Sequence, residues 1–190
     1  MTINISVGRI ERCATDAIVN PANEALQEGG GACGAIFGAV RNLGGVDQLK
    51  AACHAFGGCP TGSAVTTSSF GLPARYIIHA VGPVWRGRDT VTSNDFTESE
   101  RSELALLVST YEAVLTECRT HGIGSVTIPA ISTGIFRLPK ELGASIAHAV
   151  CGAQTDITVT LVAFDEENRR YLENAPTSVA TTVLRQAGII

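Results

Sequence analysis

Polar and apolar residues alternate over residues 2–7, with β-branched side chains at Ile3, Ile5 and Val7, and Gly8 ends the run. The pattern predicts a strand with one face in water. Residues 15–19 predict a second, more buried strand. Ile36, Ala39 and Val40 set a helical spacing over residues 34–42, and residues 49–56 predict another helix, stopped by Gly57 and Gly58. A short strand comes next, over residues 63–67. Residues 75–81 form a continuous β-rich run broken by Gly82 and Pro83, the pattern of a strand buried on both faces. Residues 86–97 carry no hydrophobic period and read as an exposed loop. Thr97 with Glu100 makes a capping-box signature ahead of the longest helical pattern, Leu104, Leu107, Val108, Tyr111, Val114, Leu115 and Cys118, which closes near Gly122. Residues 125–129 predict a buried strand, a helix starts after Leu138 and Pro139, residues 158–164 predict the last strand, and residues 166–187 predict a helix interrupted near Pro176.

Strands alternating with helices at this spacing predict a three-layer α/β/α sandwich with a mixed, mostly parallel central sheet. At 190 residues the chain suits one domain, residues 1–190. Apolar residues are 45% and charged residues 17% of the chain, which argues for a compact core and against disorder. The net charge is −4 without a lysine or arginine cluster, so a strong duplex nucleic-acid surface is not expected. No apolar run reaches the roughly twenty residues that span a bilayer, so no membrane partner is expected. Cys13, Cys33, Cys53, Cys59, Cys118 and Cys151 lack the spacing of a disulfide scaffold or a zinc site, and no signal peptide leads the chain. These features predict a reducing, cytoplasmic setting and no metal. The abrupt start into the first strand is also compatible with a domain cut from a longer protein.

In an open α/β sheet, ligands bind at the carboxyl ends of the strands. Two glycine-bearing loops lie there. The first carries Asn20, Pro21, Ala22 and Asn23, then Gly29, Gly30, Gly31, Ala32 and Cys33, with a helix beginning at Gly34, Ala35, Ile36 and Phe37. The second carries Ser132, Thr133, Gly134, Ile135 and Phe136. Three glycines remove every Cβ that would hold a ligand off the backbone, and the N–H groups of a helix start favour an anion, with phosphate the best fit. A plain surface loop capping a helix is the alternative. The Walker lysine and the GxGxxG fingerprint are both lacking.

With these residues goes a resemblance. The chain resembles a macrodomain, the ADP-ribose-binding module, in five segments in the family's order: Asp16-Ala17-Ile18-Val19-Asn20-Pro21-Ala22-Asn23; Gly29-Gly30-Gly31 with Gly34-Ala35-Ile36; Cys59-Pro60-Thr61-Gly62; Tyr76-Ile77-Ile78-His79-Ala80-Val81-Gly82-Pro83; and Ile128-Pro129-Ala130-Ile131-Ser132-Thr133-Gly134-Ile135-Phe136. The resemblance implies that Gly29, Gly30, Gly31, Gly34, Ala35, Ile36 and Phe37 hold one side of a diphosphate and that Ser132 to Phe136 wrap the other. It implies that Asn23 binds the distal ribose, with Asn20 supporting the loop and Phe136 beside the same sugar. It also implies that Phe164 lies against adenine, with Asp165 and Asn168 as polar neighbours. Arg9 takes a place where many members have an aspartate that reads adenine, which shifts that role to backbone near Ile10 and to Phe164. Cys33 stands where many hydrolases have aspartate, as in some viral macrodomains, among them replicase domains, and Phe37 stands where histidine is common.

The implied activity is hydrolysis of mono-ADP-ribose from protein side chains, most readily esters of Asp or Glu, through a water oriented near Gly31 and Cys33 while Asn23 and Phe136 fix the ribose. No metal or other cofactor is called for. The implied partners are ADP-ribose and ADP-ribosylated proteins. A reader that binds without cleaving, and a phosphatase acting on ADP-ribose 1″-phosphate, are the alternatives. Taken residue by residue, Cys33 reads as an apolar filler or a nucleophile, Phe136 and Phe164 as ligand contacts or core aromatics, and His79, inside a buried strand, as a satisfied core histidine.

Overall fold

The computed structural model describes residues 3–89, 95–175, 181, 182 and 185. Six strands form one sheet: β1 (Asn4–Val7), β2 (Ala17–Pro21), β3 (Ala64–Ser68), β4 (Tyr76–Ala80), β5 (Ser125–Pro129) and β6 (Thr158–Ala163), in the order β1-β6-β5-β2-β4-β3. Every neighbouring pair is parallel except β3 with β4. Among the described residues, the α-helices that flank it are α1 (Gly31–Asn42), α2 (Val46–Ala55), α3 (Glu98–Thr120), α4 (Lys140–Gly152) and α5 (Glu166–Glu173). This is the mixed, mostly parallel three-layer sandwich predicted from the alternation of elements.

The period of two along each strand divides the core. Ala17 and Val19 of β2, Ile78 and Ala80 of β4, and Val126 and Ile128 of β5 face the layer of α3, α4 and α5. Ile18, Ile77 and Val162 face the opposite way, against Ile36, Phe37 and Val40 of α1 and Leu49 and Cys53 of α2. Both faces of β2, β4 and β5 are therefore dry, which is why those segments read as continuous apolar runs.

The capping box at α3 forms as predicted: Glu100 N donates to Thr97 Oγ1 at 3.2 Å, and Thr97 N donates to Glu100 Oε2 at 2.9 Å. One expectation is sharpened and one changes. The stretch read as an exposed loop is a loop where it is described, with Arg86, Arg88, Asp89, Asp95 and Thr97 exposed, but it is anchored by the buried Phe96 and by Arg88 Nε, which donates to Glu100 Oε1 at 3.0 Å. The Arg88 guanidinium holds the Glu100 carboxyl down at about 2. The anchors here are single side chains, which no periodicity reports. The first-loop helix also begins at Gly31 rather than Gly34, with Gly31 at φ +58°, a value only glycine holds without strain. Of the last predicted helix, α5 accounts for the beginning, and most of residues 176–187 lies outside the described residues.

Candidate functional site

Because β2, β5 and β6 run parallel, their carboxyl ends meet at one edge of the sandwich. The segments leaving these three strands line one cleft of about 500 Å³. From β2 come Ala22, Asn23, Gly29, Gly30, Gly31 and Cys33; from β5 come Ser132, Thr133, Gly134, Ile135 and Phe136; from β6 come Phe164 and Asn168. The two loops touch over it, since a Cβ placed on Gly30 would stand 3.0 Å from Ile135 Cδ1.

The walls are rows of backbone donors. Among the described residues, the N–H groups of Gly30, Gly31, Ala32 and Cys33 meet no protein acceptor, and neither do those of Thr133, Gly134, Ile135 and Phe136. The N-cap, Gly30, has no side chain to occupy the helix start, and no acidic residue stands in the first turn of α1. A helix dipole and two unpaired amide rows therefore face one space, which suits a group with several anionic oxygens. The second loop is held in shape from behind: Thr133 Oγ1 donates to Ala130 O at 3.0 Å, Arg137 N to Gly134 O at 2.9 Å and Leu138 N to Ser132 O at 3.0 Å. Ser132 holds φ +66° there, and its buried Oγ packs so closely on Gly82 that a Cβ at that position would overlap it.

Cys33 is occupied. Its Sγ accepts from Gly29 N at 3.3 Å and lies 3.9 Å from Gln27 O, and burial pushes the thiol pKa up. The side chain is thus a neutral thiol that pins the glycine loop to the first turn of α1, and such a thiol is a poor nucleophile. Asn23 closes the preceding turn, with Oδ1 accepting from Gln27 N at 3.1 Å and Nδ2 donating to Gln27 O at 2.8 Å. Each of its polar atoms keeps one further bonding capacity toward the cleft. Phe164 is 76% exposed, a flat apolar face at the far end. Asn168 N donates to Asp165 Oδ1 at 2.8 Å, which caps α5 and holds the Asp165 carboxyl below its ordinary range.

Several expected residues stand outside the lining. Arg9 turns to Glu11 and Ile10 is buried. Asn20 is buried beneath the first loop, with Nδ2 3.0 Å from His79 Nδ1. Ile36 and Phe37 are fully buried on the face of α1 that packs against Ile18 and Ile77 of the sheet, one turn beyond the helix start, and Gly34, Ala35 and Asp165 do not reach the cleft either. His79 is a core histidine, as expected, fully buried with burial lowering its pKa to about 4.

Three residues not expected in the site complete the walls. Gly82 after β4, Lys140 at the start of α4 and Tyr171 of α5 line the cleft, and Lys140 Nζ lies 5.0 Å from the centre of the Tyr171 ring and 2.9 Å from Glu167 Oε1. The one hint of such a role is the position of Lys140 directly after Pro139, at a helix start that closes the second loop.

A family model, the Macro domain, matches residues 19–147. A macro domain-containing protein of Cupriavidus necator is 42% identical over 172 residues, covering 86% of this chain and 90% of its own. An O-acetyl-ADP-ribose deacetylase of Pantoea vagans is 38% identical, covering 87% of this chain and 93% of its own. A macrodomain mutant of Oceanobacillus iheyensis, solved with ADPR, superimposes with a TM-score of 0.74 at 30% identity, covering 90% of this chain and 89% of that one. By sequence, by sheet topology and by the paired loops at the strand ends, the chain belongs to the macro domain family.

Proposed function

We propose that the protein binds ADP-ribose in this cleft and hydrolyses mono-ADP-ribose from proteins, at the ester to an aspartate or glutamate. The observation that carries the reading is the pair of facing amide rows, whose unpaired N–H groups match the oxygens of a diphosphate. Adenine lies along Phe164 near Asn168, the diphosphate between the rows, and the distal ribose between Asn23 and Phe136. The ligand solved in the Oceanobacillus relative supports this choice of nucleotide.

Chemistry follows from position. A water held by a diphosphate oxygen and the backbone near Gly31 and Cys33 attacks C1″, the C1″–O bond breaks, the protein carboxylate leaves and the water's proton passes to the diphosphate. A carboxylate is a good leaving group, so a strong general acid is not needed. Positioning of this kind contributes up to about 7–11 kcal/mol, enough for a labile ester without a conventional base. The raised pKa of Cys33 fits a part in holding the loop rather than in attack.

A second ester on the same sugar is favoured by relatives: two proteins of Pantoea vagans that resemble this chain are named O-acetyl-ADP-ribose deacetylases. Both substrates present a carboxylic ester at the distal ribose, so one cleft serves either. The test is incubation of an automodified, mono-ADP-ribosylated acceptor and, in parallel, of O-acetyl-ADP-ribose. Release of ADP-ribose from the acceptor supports the proposal. Tight binding with the label retained would leave a reader.

Asn23→Ala is expected to lower kcat/KM at least about tenfold, because it removes both the ribose contact and the two bonds that shape the turn through Gln27. Unchanged turnover would show that the distal ribose lies elsewhere.

A further inference from the structure

Among the described residues, the Arg137 side chain has one charged neighbour, Asp89, and lines no part of the cleft. The residue holds φ +64°, a left-handed backbone that costs a non-glycine residue strain, yet its side chain is 74% exposed. Its Nη2 stands 3.6 Å from Oδ1 of Asp89, which is itself 79% exposed, so this pair is easily exchanged. Glycine would hold the same turn without strain, and the backbone bond from Arg137 N to Gly134 O needs no side chain. A second arginine stands on the adjacent segment. Trp85 N donates to Phe136 O at 2.9 Å, which sets the next residues of the two segments, Arg86 and Arg137, on neighbouring backbone. Arg86 is 75% exposed, with Nη1 3.7 Å from Glu103 Oε1. Two loosely held arginines thus stand on the rim immediately beyond Phe136, outside the diphosphate cleft.

We infer that this rim, with Arg137 at its centre, docks carboxylates that flank the modified residue of an ADP-ribosylated protein. The inference rests on the proposed function, in which the distal ribose, and hence the attached protein, emerges beside Phe136. An acceptor modified on aspartate or glutamate within an acidic stretch presents further carboxylates to that rim. A guanidinium pairs with them by two parallel hydrogen bonds, and exchanging Asp89 for such a partner forfeits little. The amide rows read the nucleotide, while Arg137 reads the chain that carries it.

Three probes test this: a peptide mono-ADP-ribosylated on glutamate with acidic neighbours, the same peptide with serine and glycine neighbours, and O-acetyl-ADP-ribose. The wild-type protein is expected to prefer the acidic peptide by about tenfold in kcat/KM at low ionic strength, with the preference fading as salt shortens the Debye length. Arg137→Gly is expected to abolish the preference, leave O-acetyl-ADP-ribose turnover unchanged, and keep or raise the melting temperature as the strain is released. Arg137→Lys keeps most of the preference. A preference surviving in Arg137→Gly, or an equal loss on all three probes, overturns the inference. If wild type cleaves none of them, the hydrolase reading fails by itself, and the dissociation constants of the two peptides, compared between wild type and Arg137→Gly, decide the docking question.

Discussion

Gly34→Ala is expected to weaken ADP-ribose binding by more than about tenfold, the equivalent of about 1.4 kcal/mol or more, while changing stability little. The reason is a backbone contact. A Cβ on Gly34 would stand 2.7 Å from Gly29 O and 3.7 Å from Gly29 C, and a carbonyl cannot swing aside as a side chain can. The cost is met by moving the loop, whose glycines yield, and this loop is the wall that carries the amide row. Against the strain works the gain from replacing glycine inside a helix, about 0.5–1 kcal/mol, so global stability registers the change poorly. Gly38→Ala supplies the control. It lies one turn further along α1 with nothing within 4 Å of the added carbon, so it should stabilise the protein by a similar amount and leave binding intact. Titration calorimetry with ADP-ribose alongside thermal melts reads both effects. Equal affinity for Gly34→Ala and wild type would mean that the first loop does not hold the ligand.

Position in the chain explains which features are legible in the sequence. β5 is legible to the residue, Ser125–Pro129, because Gly124 and the proline bound an uninterrupted β-run. The start of α3 is readable because Thr97 and Glu100 state it in side-chain chemistry. The start of α1 is not, since glycine is a poor helix former in general but costs little at an N-terminus whose N–H groups have no partner anyway. The difference carries over into function: a helix placed at Gly34 puts Ile36 and Phe37 in the first turn, beside the ligand, whereas an origin at Gly31 puts them in the second turn, past the free N–H groups, where their side chains pack in the core. Both glycine loops stand out because they come directly after buried strands. Lys140 and Tyr171 do not, because they come from the faces of helices, where a cleft residue and a solvated one look alike in sequence. The order β1-β6-β5-β2-β4-β3 is likewise a property of long-range pairing that no local run encodes.

Acid is expected to destabilise the protein through His79 between about pH 6.5 and pH 4, by about 3 kcal/mol in all. The ring is fully buried between β2, β3 and α2, and its partners suit the neutral form. Asn20 Nδ2, 3.0 Å away, donates to Nδ1; Nε2, 2.9 Å from Thr67 Oγ1, donates in turn; and the Thr67 hydroxyl donates its own hydrogen bond to Ser68 O at 3.0 Å. A proton added at Nδ1 would meet the amino group of Asn20 and place a charge in a dry interior, and burial lowers the pKa from 6.5 to about 4. In the unfolded chain the histidine binds its proton near pH 6.5. The stabilising contribution is therefore complete above that value and lost as pH falls toward 4, because the unfolded state takes up the proton first. Urea unfolding at pH 7 and pH 4.5 should show this group contributing about 2 kcal/mol to the difference. Carboxylates titrate in the same range, so the comparison is with His79→Gln, which cannot titrate and whose pH dependence should be shallower by that amount. Equal slopes in the two proteins, or a native imidazole found by NMR to titrate near pH 6.5, would refute the assignment. The consequence reaches the cleft, because Asn20 is three residues from Asn23 on the segment leaving β2. Loosening the bond between Asn20 and His79 requires protonating the native ring and lets the end of that strand move, so ADP-ribose affinity is expected to hold down to about pH 5 and to fall only as pH nears 4 in wild type, and less steeply in His79→Gln.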